Sequence, residues 1–145
     1  MYSASTFSPA ARQYQPLARL YQQVNTDSGV LSASPHRLVT MLYDGLLEAL
    51  NRARGALQRR DIPGKADAVG RAVRIVNEGL KAGITDPEGS ELAGNMYALY
   101  VYISMRLTHA NLHNDDNALQ ECQRLIMPLR EAWVAIAPQV DHSVN

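Results

Sequence analysis

The chain has 145 residues, a length that suits one domain whose core buries roughly two thirds of the unfolded surface. Its 14 basic and 14 acidic residues leave no net charge, so we expect no nucleic-acid partner, because such a partner requires a broad basic surface. Cys122 is the only cysteine, which excludes an internal disulfide and favours a reducing compartment such as the cytoplasm. The longest apolar run, residues 98–103, is too short to cross a bilayer, so we expect no membrane insertion.

The first 33 residues carry only a weak pattern. They are rich in serine, alanine, glutamine and tyrosine, with Pro9 and Pro16 near the start. We therefore predict a flexible segment, residues 1–33, that contains one short and weakly held helix. The apolar positions of that helix are Leu17, Leu20, Tyr21 and Val24.

Four longer helices follow, because apolar residues recur at steps of three and four rather than in alternation. Ser34 and Pro35 predict the start of the first helix, since serine caps helices and proline suits the first turn. The connections are short and favour antiparallel neighbours. We predict an all-α fold: an antiparallel four-helix bundle with a short additional N-terminal helix, in a single domain over residues 1–145 that ends in a short disordered tail, 139–145. The predicted helices span residues 35–60, 66–82, 92–110 and 115–138, and turn-forming clusters occur at 61–64 and 86–90.

Two histidines raise the question of a metal site. His109 and His113 are four positions apart, a spacing that can present two imidazoles on one helix face. No Glu-x-x-His pair of the kind that builds di-iron sites accompanies them, and no nucleophile elbow or glycine-rich phosphate loop is present. We therefore predict no metal, no cofactor and no enzyme activity. A bundle that senses a small ligand or a metal, and a self-associating structural bundle, remain as alternatives.

The long helices carry more apolar residues than one buried stripe requires. Val39, Met41 and Leu47 lie beside the main stripe of the first helix, and Val101 and Met105 lie beside that of the third. A helix that is apolar on more than one face must bury the second face against something. The N-terminal segment or another polypeptide is expected to cover it.

Several motifs in chain order resemble the flagellin export chaperones of the FliS family. The resemblance begins with SPHRL at 34–38 and MLYDG at 41–45, and it extends over nearly all of residues 21–138. Between the initial MYSAS and YQQV at 21–24 this chain is about ten residues longer than the family pattern. The other matching motifs are AVRIVNEG at 72–79, LKAG at 80–83, GSELA at 89–93, LYVY at 99–102 and EAW at 131–133, with Lys65, Arg106, Leu107 and the ANL of 110–112.

This resemblance implies a cytoplasmic chaperone, not an enzyme, that binds the disordered C-terminal segment of flagellin. Similar proteins prevent premature polymerisation of flagellin and deliver it to the export gate of the flagellar type III apparatus. We expect a monomer or a weak homodimer, with the N-terminal positions 17, 20, 21 and 24 acting as a removable lid over the empty groove. The candidate flagellin contacts are Leu42, Tyr43, Leu46, Leu50, Tyr97 and Tyr100.

Gly45 interrupts an otherwise apolar helix, where glycine costs roughly 1 kcal/mol relative to alanine. It lies on the apolar flank, so we predict a helix-packing notch that lets another helix approach closely. Replacement of Gly45 by leucine is then expected to disrupt that packing. We further expect Tyr43 to lie at the groove rim and Asp44 to offer its carboxylate to an arginine or a backbone N–H.

Overall fold

The computed structural model describes residues 33–136 of the chain. Within that range the chain forms four helices and no strand, as the apolar spacing predicts. The predicted N-terminal helix with its lid positions, and the predicted tail at 139–145, lie outside the described residues. The helices are α1 (Pro35–Gln58), α2 (Ile62–Arg74), which continues as a π-helical segment (Ile75–Lys81), α3 (Glu91–His113) and α4 (Asp116–Ala135).

The helix starts follow from local sequence chemistry. The Ser34 hydroxyl accepts a hydrogen bond from the Arg37 N–H, and Ser90 does the same for Ala93 at the start of α3. The Asp115 carboxylate accepts from two backbone N–H groups in the first turn of α4. The cap predicted at Ser34 is thus confirmed, and α4 begins near Asp115 as predicted.

Contacts between distant residues define the direction of each helix. The start of α1 meets the end of α4 through His36 and Trp133, whereas the later Arg54 meets Asp116 at the start of α4. These two pairs show that α1 and α4 run antiparallel.

The same reasoning applies to α2 and α3. The Lys65 ammonium at the start of α2 donates to the Asn111 carbonyl oxygen near the end of α3, at 2.7 Å, whereas Lys81 at the end of the second helix lies over the ring of Tyr97 near the start of α3. The described helices thus form an antiparallel four-helix bundle.

The second helix differs from the prediction in its last two turns. Residues Ile75–Lys81 form a π-helix, a wider turn that the apolar spacing does not distinguish from an α-helix. Within this segment Gly79 is buried against Leu42 of α1, and an added Cβ would lie 3.2 Å from the nearest Leu42 methyl carbon. The close approach of α2 to α1 therefore depends on a glycine at position 79.

None of the helices between residues 33 and 136 combines the length and the apolar character that a bilayer-spanning helix needs.

Candidate functional site

Five of the six predicted flagellin contacts lie inside the bundle. Leu46 and Leu50 of α1 are fully buried, and Leu42, Tyr43 and Tyr100 are at most 2% exposed. All five belong to the main hydrophobic core. The apolar spacing does not reveal which of two apolar faces of a helix points inward. The flagellin-contact role of these residues remains a prediction.

The sixth predicted contact, Tyr97, is partly exposed on α3. The Lys81 ammonium lies 5.8 Å from the centroid of the Tyr97 ring, a cation–π arrangement. Since Lys81 ends the π-helical segment, this contact ties the first turns of α3 to the end of the second helix. Of the six predicted side chains, Tyr97 is the one with appreciable exposed area.

A pair of tyrosine hydroxyls connects α1 to α3 across the core. The Tyr43 and Tyr100 oxygens are 2.6 Å apart and share a hydrogen bond in which either oxygen can donate. A buried hydroxyl needs such a partner, because an unpaired one costs about 1–3 kcal/mol. Tyr43 is 1% exposed, so the expectation that it lies at a rim is wrong for this conformation. Its hydroxyl finds a partner in the interior instead of in solvent.

An apolar pocket opens above this tyrosine pair, at the end of the bundle where α1 begins and α4 ends. It has a volume of about 140 Å³. In another protein a cavity of about 150 Å³ holds a benzene molecule, so this pocket has room for one large apolar side chain. We call it the end pocket; its lining residues are Val39, Leu42, Tyr43, Gly79, Leu80, Gly83, Ile84, Met96, Tyr100 and Trp133.

Trp133 at the edge of the end pocket is held by a reciprocal contact with His36. The indole N–H donates to the His36 carbonyl oxygen at 2.9 Å, and His36 Nε2 donates to the Trp133 carbonyl oxygen at 2.8 Å. The two rings stack with centroids 4.5 Å apart and planes 7° apart. Because the pair is separated by 97 positions, periodicity within one helix could not reveal it. The only sequence signal is that both residues fall in the motifs that carry the family resemblance.

The carboxylate of Asp44 pairs with the Arg130 guanidinium of α4, which confirms the expectation that it meets an arginine. The hydrogen bond to Asp44 raises the pKa of Arg130. Near the other end of α1, the Arg54 guanidinium donates two hydrogen bonds to the Asp116 carboxylate, at 2.8 and 3.2 Å. The hydrogen bond from Arg54 lowers the pKa of the Asp116 carboxyl. Both pairs fix α4 along α1.

Exposed apolar side chains lie along the outer face of α3. Met105 is 65% exposed and Leu112 is 75% exposed, seven positions apart and thus nearly in line along the helix. Large apolar groups so exposed in a row mark interaction surfaces more often than scattered ones. We call this surface the α3 outer stripe; it consists of Ala98, Val101, Tyr102, Met105 and Leu112.

A polar cluster anchors one flank of the α3 outer stripe to α4. The Tyr102 hydroxyl and the Arg106 guanidinium both donate to the Glu121 carboxylate, at 2.5 and 2.7 Å. These hydrogen bonds lower the pKa of Glu121, and the bond to Glu121 raises the pKa of Tyr102. The Tyr102 ring is thereby held in a fixed position within the stripe.

The two histidines considered for a metal lie together near the end of α3. Their ring centroids are 4.6 Å apart, and His109 Nε2 lies 3.2 Å from the Asp115 carboxylate. Within residues 33–136 no group of three or more His, Cys, Asp or Glu side chains is arranged to hold a metal ion.

The predicted packing notch at Gly45 is buried on α1. The glycine with a close contact to a neighbouring helix is Gly79, which packs against Leu42 of α1 and which the apolar spacing does not mark. The role of Gly45 as a notch remains a prediction.

The described bundle is an all-α four-helix module with an end pocket and an exposed apolar stripe. The sequence model of the family described as "Flagellar protein FliS" matches residues 17–140. The chain is 44% identical to the flagellar secretion chaperone FliS of Salmonella typhimurium, over 83% of this chain and 90% of the relative. It is 41% identical to the flagellar secretion chaperone FliSB of Pseudomonas aeruginosa, over 81% and 92%, and 40% identical to FliS of Escherichia coli, over 78% and 83%. The chain therefore belongs to the FliS family.

Proposed function

We propose that this protein is a cytoplasmic chaperone that binds the disordered C-terminal segment of flagellin, prevents its premature polymerisation and delivers it to the flagellar export gate. The observation that carries the proposal is the α3 outer stripe, because its apolar side chains remain exposed after the core is complete. The names of the relatives, flagellar secretion chaperones, support the same function. The proposal includes no catalytic step.

The positions of the apolar surfaces suit a client that is disordered before it binds. The end pocket lies between helices at one end of the bundle, whereas the α3 outer stripe runs along the outside of α3. A rigid partner would have difficulty reaching both surfaces, but a disordered segment can wrap around a bundle and fold as it binds. We propose that one apolar side chain of flagellin enters the end pocket, while a helical turn of the same segment lies on the stripe.

This arrangement gives the predicted contacts a more specific role. Leu42, Tyr43 and Tyr100 form part of the end-pocket lining, so they would contact an inserted side chain without leaving the core. Leu46 and Leu50 would support the bundle only. Binding then requires no opening of the helices.

The N-terminal lid is a second part of the proposal. Leu17, Leu20, Tyr21 and Val24 would cover apolar surface until flagellin displaces them, which would lower the apparent affinity by the fraction of time that the surface is covered. Deletion of residues 1–24 is expected to tighten the binding of the flagellin segment. An unchanged or weaker affinity would contradict the lid.

Co-expression with flagellin tests the function directly. We expect full-length flagellin to co-elute with this protein in size-exclusion chromatography, and flagellin without its C-terminal segment to elute separately. Light scattering on the same column separates a monomer from a homodimer that buries the α3 outer stripe against itself. Co-elution of both flagellin forms, or of neither, would contradict the proposal.

A further inference from the structure

The α4 wall of the end pocket consists of one side chain. Within residues 33–136, Trp133 is the only residue of α4 that lines the pocket; the other lining residues belong to α1, to α3 or to residues 79–84. Trp133 is also the one side chain in residues 131–136 that is not exposed, so the end of α4 rests on the bundle through this residue. The position of a single indole ring therefore decides how far this side of the pocket extends.

The position of the indole ring is in turn set by His36, from another helix. The His36 ring stacks on the indole, and its Nε2 donates to the Trp133 carbonyl oxygen. That carbonyl is among the last ones of α4, which have no partner within the helix. The indole N–H donates to the His36 carbonyl oxygen. His36 thus both orients the ring and supplies the acceptor and the donor that the end of α4 needs.

We propose that Trp133 limits the size of the side chain that the end pocket admits, and that His36 is the positioning residue that holds this limit. The inference rests on the proposed function, in which a flagellin side chain enters the pocket, and it adds which side chains fit. With the wall in place, the volume of about 140 Å³ suits a branched aliphatic chain or a single benzene ring. The pocket then accepts leucine or phenylalanine and excludes the two fused rings of tryptophan.

The polar groups around the pocket favour apolar side chains over polar ones. The Tyr43 and Tyr100 hydroxyls are bonded to each other at 2.6 Å, and the only donor of the indole ring is bonded to His36. A polar side chain that enters would lose its hydration and would meet side-chain groups that are already engaged, which disfavours it. The partner group is therefore a compact apolar side chain.

The test uses the full-length ¹⁵N-labelled protein, with benzene and indole as probes of pocket size. We expect saturable amide shifts at Gly79 and Gly83 with benzene, and indole binding that is about tenfold weaker, a difference of ~1.4 kcal/mol. Trp133→Ala removes the wall, so indole should then bind about as tightly as benzene. In His36→Ala the ring is present but no longer held, so the ratio of the two affinities should fall by about threefold or more. A merely structural role would weaken both probes equally and would leave this ratio unchanged.

Two phenylalanine variants separate the contributions of His36. His36→Phe keeps a ring for stacking but loses the hydrogen bond to the Trp133 carbonyl oxygen, so its affinity ratio should lie between those of the natural chain and His36→Ala. His113→Phe makes the same substitution at an exposed residue that ends α3, at the opposite end of the bundle, and should leave the ratio unchanged. The chain has one tryptophan, so its fluorescence reports this ring alone. The emission should move to longer wavelength in His36→Ala and stay unchanged in His113→Phe.

Circular dichroism identifies the variants that fold, and His36→Phe carries the test if His36→Ala does not fold. Three results would overturn the proposal: no saturable benzene shifts at Gly79 and Gly83, equal affinities for indole and benzene in the natural chain, or an unchanged affinity ratio in the folded His36 variants. Both probes act without flagellin, so such a result would leave the proposed chaperone function standing. Failure of flagellin to co-elute would contradict that function and would leave the measured size limit standing.

Discussion

The helices α1 and α3 have nearly the same length, 24 and 23 residues, but very different surroundings. Thirteen residues of α1 are buried, including almost every apolar residue of its first five turns. In α3 only Tyr100, Ile103, Leu107 and Ala110 are buried. Both helices have an excess of apolar residues in the sequence. The excess in α1 builds the core, whereas the excess in α3 remains on the surface and is available to a partner.

The two helices should differ most in the loss of stability that follows truncation of a large apolar side chain. Leu46→Ala in α1 is expected to lower the free energy of unfolding by about 2–5 kcal/mol, because it leaves a cavity in a fully buried position. Met105→Ala in α3 should change it by less than about 0.5 kcal/mol, since the side chain is mostly in solvent. Urea unfolding followed by circular dichroism measures both. Similar losses for the two variants would mean that α3 contributes to the core as α1 does.

Two glycines of the second helix test how tightly α1 is packed. Gly70→Ala should raise stability by about 0.5–1 kcal/mol, because alanine favours the helix and the added methyl group meets nothing. Gly79→Ala should be less stable than Gly70→Ala by about 1–3 kcal/mol, since its methyl group presses on the buried Leu42. Thermal unfolding of the two variants provides the comparison. An equal gain in stability for both variants would show that Leu42 of α1 shifts without cost to make room for the added methyl group.

The pairing of Arg54 with Asp116 fixes α4 to α1 and should respond to pH. The folded-state pKa of Asp116 is lowered, so its stabilisation is present above the unfolded pKa of about 3.9 and is lost as the pH falls through the folded pKa. At pH 7 the Asp116→Asn variant should lose about 0.2–1 kcal/mol, a range that allows for solvent screening. The curves of stability against pH for the variant and the natural chain should converge in acid.

The control for Asp116→Asn is Asp67→Asn, which makes the same change of charge on the exposed side of α2. A constant stability difference between Asp116→Asn and the natural chain from pH 7 to pH 3 would argue against a stabilising role for the ion pair.

The smallest signal is expected from the chemical reactivity of Cys122, a residue of α4 that packs against the inner face of α3. The thiol is fully buried near the Ile103 carbonyl oxygen, and burial raises its pKa to about 12. Because the thiolate is the reactive form, Cys122 should not react with Ellman's reagent in the folded protein at pH 8. In urea the same thiol should react completely. Rapid reaction without urea would indicate that α3 opens readily from the bundle.

The sequence predicted the features that depend on neighbouring residues. The cap at Ser34, the start of α4 near Asp115 and the turn before α3 follow from side chains within a few positions of the helix ends. Spacing within a helix could not decide which apolar face is inside, and so Tyr43 and Tyr100 were predicted as contacts although they pair in the core. The contact of Gly79 with Leu42 and the pairing of His36 with Trp133 depend on how the helices dock, and the sequence of one helix does not contain that information.

The central claim is that flagellin binding requires the exposed α3 outer stripe and does not rest on the end pocket alone. Titration calorimetry with the flagellin C-terminal segment tests it through the double variant Met105→Glu and Leu112→Glu. Gln58→Glu serves as the control, since Gln58 is an exposed polar residue at the end of α1, outside the α3 outer stripe and the end pocket. We expect the double variant to fold normally and to bind flagellin at least about tenfold more weakly, a loss of ~1.4 kcal/mol, while the control binds as the natural chain does. Undiminished affinity in the folded double variant would contradict the account.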